Sequence, residues 1–203
     1  MAKHNTKDRV NSEELTRKER YLMRILLGGE SIHGKRILDA GCGNGDRTAT
    51  IMRYGGPKYC LGIDIDVDSV KRASASHNLN NLEFLHGDIE NFNGSFDIII
   101  MSKVLHHVKK VKRALDNCYR MLPKGGVLII DEQNRYSAML NPRAVGKGKF
   151  VPRELIGCLR RAGFREIKYR YHIPFCLKPL KFALNNMAAN ILVGRAYFIH
   201  AKK

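Results

Sequence analysis

The sequence predicts an α/β domain, with a mostly parallel sheet carrying helices on both faces. Three observations predict it. Short apolar runs alternate with helical stretches along most of the 203 residues. The runs are continuously apolar, as in strands covered on both sides, and lack the strict alternation of a strand with one wet face. A glycine-rich turn, Gly41-Cys42-Gly43-Asn44-Gly45, ends the first run and opens a helix, where open α/β sheets receive ligands.

The elements follow in order. Residues 12–28 read as an amphipathic helix. Ser12 is its N-cap, Glu13 and Glu14 stand in the first turn, and Gly28-Gly29 stop it. Leu15, Leu22, Ile25 and Leu26 form its apolar side. Strands are expected at 35–40, 59–64, 82–86, 96–101 and 125–131, with helices at about 45–54, 67–77 and 110–121 between them. This alternation calls for right-handed crossovers in a parallel sheet. A polar, basic loop (132–151) then leads to a helix at 152–162, a strand at 165–173, a helix at 178–192 and a strand at 195–202. Residues 1–33 are read as an N-terminal helical segment and 34–203 as one domain.

Composition narrows the class. Hydrophobic residues are 44% and charged residues 27%, the profile of a globular chain rather than a disordered one. The five cysteines are odd in number and form no CxxC pair, which points to free thiols in a reducing, cytoplasmic setting. No apolar run is long enough to span a bilayer, and the first residues lack the apolar core of a secretory leader. Lys and Arg number 36 against 19 Asp and Glu, a net charge of +17. From Gln133 to Lys203 there are 15 basic and 2 acidic residues. Such an excess attracts an anionic partner, or serves only as a solvated surface.

The glycine turn excludes two ligand classes. A dinucleotide fingerprint needs GxGxxG, and the third glycine here falls one residue early, before Asp46. A phosphate-gripping loop would continue Gly-Lys-Ser/Thr, which is absent. No His, Cys and carboxylate spacing suits a metal. Two aspartates sharpen the reading. Asp64 closes the second strand and can accept bonds from both hydroxyls of a ribose; its alternative role is to cap the next helix, which Asp66 or Asp68 could also do. Asp88 follows the third strand, where an acceptor can meet an adenine amino group; alternatively it stabilises a turn.

With these residues in view the chain resembles the class I S-adenosylmethionine-dependent methyltransferase superfamily, in particular its ubiquinone/menaquinone-type small-molecule group. The resemblance covers about 34–203. It rests on the Asp39–Gly45 turn, Gly62-Ile63-Asp64, Gly87-Asp88-Ile89, the Asp97–His107 segment, Leu122-Pro123-Lys124-Gly125-Gly126 and Ala162-Gly163-Phe164. It implies a Rossmann-like, seven-stranded sheet in the order 3-2-1-4-5-7-6 with the last strand antiparallel. It implies S-adenosylmethionine as cofactor, with S-adenosylhomocysteine as product. Asp39, Gly41 and Gly43 would flank the methionine portion, Asp64 the ribose and Asp88 the adenine. Met101 and Ser102 would lie near the methyl group, and the neighbouring Cys42, Asn44, Ile65 and Ile89 complete the cofactor set.

Methyl transfer to a protonated nucleophile needs a general base. His106, in Lys103-Val104-Leu105-His106-His107, matches a histidine that serves as base in several O-methyltransferases, and His107 is the second candidate. Lys109 and Lys110 stand where those enzymes often carry an acidic residue. The alternative is a histidine packed under the sheet edge, bonded to a backbone carbonyl.

The substrate is less legible. Arg135, Arg143, Lys147, Lys149 and Arg153, followed by Arg160, Arg161 and Arg165, would surround an acceptor pocket. Residues 178–192 place Leu180, Leu184, Met187 and Ile191 on one helical face, for core packing or for lying on lipid beside Lys178 and Lys181. The aromatic positions look internal, which favours a small-molecule or lipid-like, anionic acceptor, with peripheral membrane contact, over RNA. RNA methylation and a non-catalytic cofactor-binding module remain the alternatives. The Asn/Asp-Pro-Pro-Tyr and Pro-Cys signatures of base methylation are missing.

Overall fold

A computed structural model describes residues 22–136, 149–172 and 196–203. Seven strands build one sheet: β1 (Arg36–Ala40), β2 (Tyr59–Asp64), β3 (Leu82–His86), β4 (Ile98–Ser102), β5 (Val127–Gln133), β6 (Ile167–His172) and β7 (Ala196–Lys202). Their order is β3-β2-β1-β4-β5-β7-β6. The first five run parallel; β7 is antiparallel to both β5 and β6. The expected sheet order and the reversed last strand are both present.

Four helices connect the strands: α1 (Asp46–Gly55), α2 (Val67–Ser76), α3 (Val111–Met121) and α4 (Pro152–Ala162). Alternate residues of each central strand serve opposite faces. On β4, Ile99 and Met101 join Leu115, Cys118, Leu155 and Phe164 under α3 and α4. Ile98 and Ile100 join Ala49, Ile51, Val70 and Ala73 under α1 and α2. Each such aliphatic side chain, fully buried, contributes about 1.5–3 kcal/mol, which is why these runs show no polar alternation.

Helix ends explain several boundaries. Asp66 caps α2, accepting from the Asp68 N–H at 3.2 Å and the Ser69 hydroxyl at 2.6 Å, so Asp64 is spared that duty. Pro152 opens α4, and the Glu154 carboxylate accepts the Val151 N–H at 3.2 Å. Gly163 ends it in the left-handed region, at φ 110°.

Some expectations need correction. Within the described part of the first helix there is only one wide π-type turn, Leu22–Leu26, closed by Gly28 and Gly29 at positive φ. Leu26 and Leu27 are buried in the core; residues 12–21 lie outside the described residues. β5 starts two residues later than expected, because Gly125 at φ 78° still belongs to the turn. Tyr136 and Tyr169 stand 42% and 53% exposed, against the expectation that aromatic positions are internal. The helix at 178–192 with its lysines, and Arg143 and Lys147, fall outside the described residues. Among the described residues, no helix is long and apolar enough to cross a membrane.

Candidate cofactor and catalytic site

The carboxyl ends of β1, β2 and β3 form one side of the cleft. After β1 the chain turns through Gly41, Gly43 and Gly45, all at positive φ, where a Cβ costs roughly 1–2 kcal/mol. Gly41 faces inward, and a Cβ there would land on a methyl group of Val104. Gly43 faces outward, with no atom within 4 Å of where its Cβ would be. The turn is therefore braced from below and hollow above.

Asp64 bounds that hollow. One carboxylate oxygen accepts the Gly43 N–H at 2.8 Å and the other accepts the Asp66 N–H at 3.0 Å. Each oxygen keeps a further lone pair, and the side chain is only half-buried. Next to it Ile65 is 68% exposed, an apolar ledge on the sheet's ligand-receiving edge. Asp88 is also half-buried; one oxygen accepts the Glu90 N–H at 2.9 Å, so it does stabilise a turn, and the other has no partner among the described residues. That turn is tied to α3 by Asn117, whose amide donates to the Ile89 and Phe92 carbonyls at 2.8 and 2.7 Å.

The remaining cofactor candidates separate into two groups. Asn44 is exposed and donates to Asp46 at 2.8 Å. Cys42, Ile89 and Met101 have buried side chains, so they offer a ligand only their backbone. Burial pushes the Cys42 thiol up to about 12, helped by the charges of Asp39 and Asp64. Asp39 is fully buried and saturated. Arg47 forks onto it, from Nη2 at 2.5 Å and Nε at 3.2 Å, and the Thr48 hydroxyl adds a bond of 2.7 Å. Burial opposes the charge of Arg47, yet Asp39 outweighs it and raises its pKa further. Asp39 thus reaches the cleft only through Arg47, which the sequence reading had not singled out.

The other side of the cleft comes from the ends of β4 and β5. Register pairs Ser102 with Asp131. The Asp131 carboxylate takes the Ser102 hydroxyl at 2.8 Å and the Lys103 ammonium at 2.6 Å. Lys103 adopts φ 60°, rare for a residue with a side chain. Beyond it, His106 Nδ1 lies 3.0 Å from Glu132, whose other oxygen accepts the Leu105 N–H at 2.8 Å. His106 is 9% exposed, and its Nε2 has no partner among the described residues. His107 is exposed, its ring 4.0 Å from that of His106. The expected bond from His106 to a backbone carbonyl is replaced by one to a carboxylate. Glu132, Asp131 and Lys103 were missed in the sequence, although two acidic residues ending an apolar strand were a signal.

Among the described residues no three metal-type ligands cluster. Arg135 is engaged by Glu154 at 2.5 Å and the Lys149 carbonyl at 2.9 Å, which subtracts it from the cations expected around an acceptor.

A sheet in this order, with a hollow glycine turn facing a strand-end aspartate, defines the nucleoside-binding half of a class I methyltransferase. The comparisons agree. Residues 38–130 match the family described as a methyltransferase domain. The phthiotriol/phenolphthiotriol dimycocerosates methyltransferase of Mycobacterium leprae is 35% identical over 101 residues, 48% of this chain and 37% of that protein. The ubiquinone biosynthesis O-methyltransferase of Psychrobacter cryohalolentis is 31% identical over 110 residues, 50% of this chain and 42% of that one. The chain therefore spans less than half the length of these relatives. A SAM-dependent methyltransferase structure from Archaeoglobus fulgidus superposes with a TM-score of 0.72 at 20% identity, covering 92% of this chain and 93% of that one. The chain carries a class I S-adenosylmethionine-dependent methyltransferase domain. S-adenosylmethionine fits the residues present: open space over Gly43, free lone pairs on Asp64 and the apolar ledge of Ile65 match a turn, a ribose and an adenine face.

Proposed function

We propose that the protein transfers a methyl group from S-adenosylmethionine to the hydroxyl of a lipid-like, anionic acceptor. The observation that carries the transfer chemistry is the buried Glu132–His106 pair beside a nucleoside cleft. In this reading Asp64 holds the ribose, Ile65 covers one adenine face and Asp88 uses its free oxygen on the adenine amino group. The bound cofactor supplies a methyl already activated on a sulfonium. What the chain must add is placement, a contribution of roughly 7–11 kcal/mol in well-oriented reactions, and removal of the acceptor's proton. Glu132 holds His106 with Nδ1 protonated, which leaves Nε2 as the proton acceptor. His107, exposed beside it, is the weaker candidate for that step. A base so placed contributes about 10²–10⁴-fold.

The acceptor class rests on the basic last third of the chain and on the relatives named for a dimycocerosate lipid and for ubiquinone synthesis. An RNA acceptor is the second reading; the exposed Tyr136 and Tyr169, the latter flanked by Lys168 and Arg170, favour it by offering rings for base stacking. A cytoplasmic protein touching membranes at its surface is the setting this reading implies.

Calorimetric titration with S-adenosylhomocysteine tests the cofactor half. Asp64→Ala should weaken it by at least an order of magnitude, and unchanged affinity sinks the ribose assignment. Incubation with labelled S-adenosylmethionine and either lipid extract or total RNA tests the acceptor half. Label in the lipid phase, lost in His106→Ala, is the expected result; label in RNA favours the second reading, and label in neither points to a module that only binds the cofactor.

A further inference from the structure

We infer that Arg47 is the binding residue for the carboxylate of the cofactor's amino-acid end, held in place by Asp39. This rests on the cofactor reading given above and names the group that reads one end of the molecule.

A guanidinium has five N–H donors and no acceptor. In Arg47, Nε and Nη2 are used: Nε and Nη2 grip Asp39, and Nη2 also reaches the Gly41 carbonyl at 3.3 Å. Nη1 meets no acceptor among the described residues. The side chain is 18% exposed, whereas Asp39 beneath it has no exposure. One edge of the fork is thus locked to the protein, and the other is presented at the cleft.

Position supports the assignment. Asp64 ends β2, Asp39 lies on β1, and Ser102 ends β4, its neighbour on the other side. A nucleoside held at Asp64 sends its amino-acid tail over the end of β1 toward β4, two strand spacings or about 10 Å. Arg47 lies on that path, over β1. A planar carboxylate matches two parallel N–H donors better than any other small anion does. The contacts to Asp39 also fix the rotamer, so little side-chain freedom remains to be lost on binding. The ammonium of the same tail has no comparable claim on Asp39, whose two oxygens are occupied by Arg47 and Thr48. Asp39 is accordingly a positioning residue, and Arg47 the one that touches the ligand.

The test compares two ligands on two proteins by calorimetry: S-adenosylhomocysteine and its decarboxylated analogue, which keeps the ammonium and loses the carboxylate. The wild-type protein should bind the first at least tenfold more tightly. In Arg47→Lys, which keeps a cation over Asp39 but loses the fork, this preference should shrink at least threefold, with affinity for the decarboxylated analogue unchanged. Since Arg47 partners a buried carboxylate, the double variant Asp39→Asn/Arg47→Gln, which removes both charges, serves as a fold-safe second case and should abolish the preference. A preference equal in all three proteins overturns the assignment, and so does a wild-type protein indifferent to the carboxylate. If the folded wild-type protein binds neither ligand, the cofactor reading itself has failed and the inference falls with it.

Discussion

The Nδ1 atom of His106 and a carboxylate oxygen of Glu132 are 3.0 Å apart in a place water barely reaches. The two residues belong to the ends of neighbouring parallel strands. Because the second oxygen of Glu132 takes the Leu105 N–H, one side chain fixes both the imidazole and the backbone that carries it. Glu132→Gln keeps an acceptor for only one of these donors. Turnover should fall by about 10- to 100-fold, as for other groups that orient a reacting residue, with affinity for S-adenosylhomocysteine unchanged. Calorimetry paired with rates across pH checks it; a variant that loses cofactor affinity instead would assign Glu132 a purely structural role.

The two glycines of the turn should respond differently to a methyl group. Gly41→Ala meets both a positive φ and Val104, so stability should drop by about 2–4 kcal/mol, combining backbone strain with overpacking. Gly43→Ala meets only the positive φ and should cost about 1 kcal/mol. Its new methyl group fills the hollow, so cofactor affinity should suffer more than the fold. Urea unfolding and calorimetry on the same preparations separate the two effects.

Asn117 is a buried polar residue on the apolar side of α3. Asn117→Ala strands the Ile89 and Phe92 carbonyls and should cost about 2–3 kcal/mol in urea unfolding. The Asp88 turn would loosen with it, so binding of adenosine should weaken while the Glu132–His106 pair is untouched.

His200, on β7, has a pKa lowered from 6.5 by burial first and by Arg170 second. Its Nε2 is buried without a partner. The folded protein thus holds this imidazole neutral, and the unfolded chain takes up a proton more readily. Its neutral-state stability is complete above 6.5 and falls as pH drops below that value toward the folded pKa. Urea midpoints at about pH 5.5 and pH 7.5 should differ less in His200→Gln than in the wild type, a difference of order 1 kcal/mol for each unit by which the pKa is lowered. An unaltered gap would show that other groups carry the acid sensitivity.

The parts of this molecule written locally were readable from the chain. The continuous Ile-Ile-Ile-Met run of β4 needs no partner to be recognised as a doubly covered strand, and Gly41, Gly43 and Asp64 occupy fixed places relative to strand ends. What escaped the sequence was pairing across the sheet. Glu132 lies 26 residues from His106, and Asp131 lies 28 from Lys103; only the register of β5 against β4 brings them together. Arg47 was hidden differently. It looked like one more cation of a basic chain, and its value depends on Asp39 being buried, which its place in a five-residue strand did not disclose. Ile89 and Met101 were assigned to the ligand by adjacency, whereas their side chains are spent on the core.

Gly41 abuts Val104, and that contact joins the turn that cradles the donor to the segment that carries the proton acceptor. Neither can be pushed toward the other without overlap, since packed interiors yield little. The gap across which the methyl group must travel is therefore gauged by the protein itself and not by whichever acceptor arrives. An enzyme built this way can exchange the walls around its acceptor for others and leave the reach of the reaction unaltered. Variation in the basic last third would then change which molecule is methylated far sooner than whether methylation occurs.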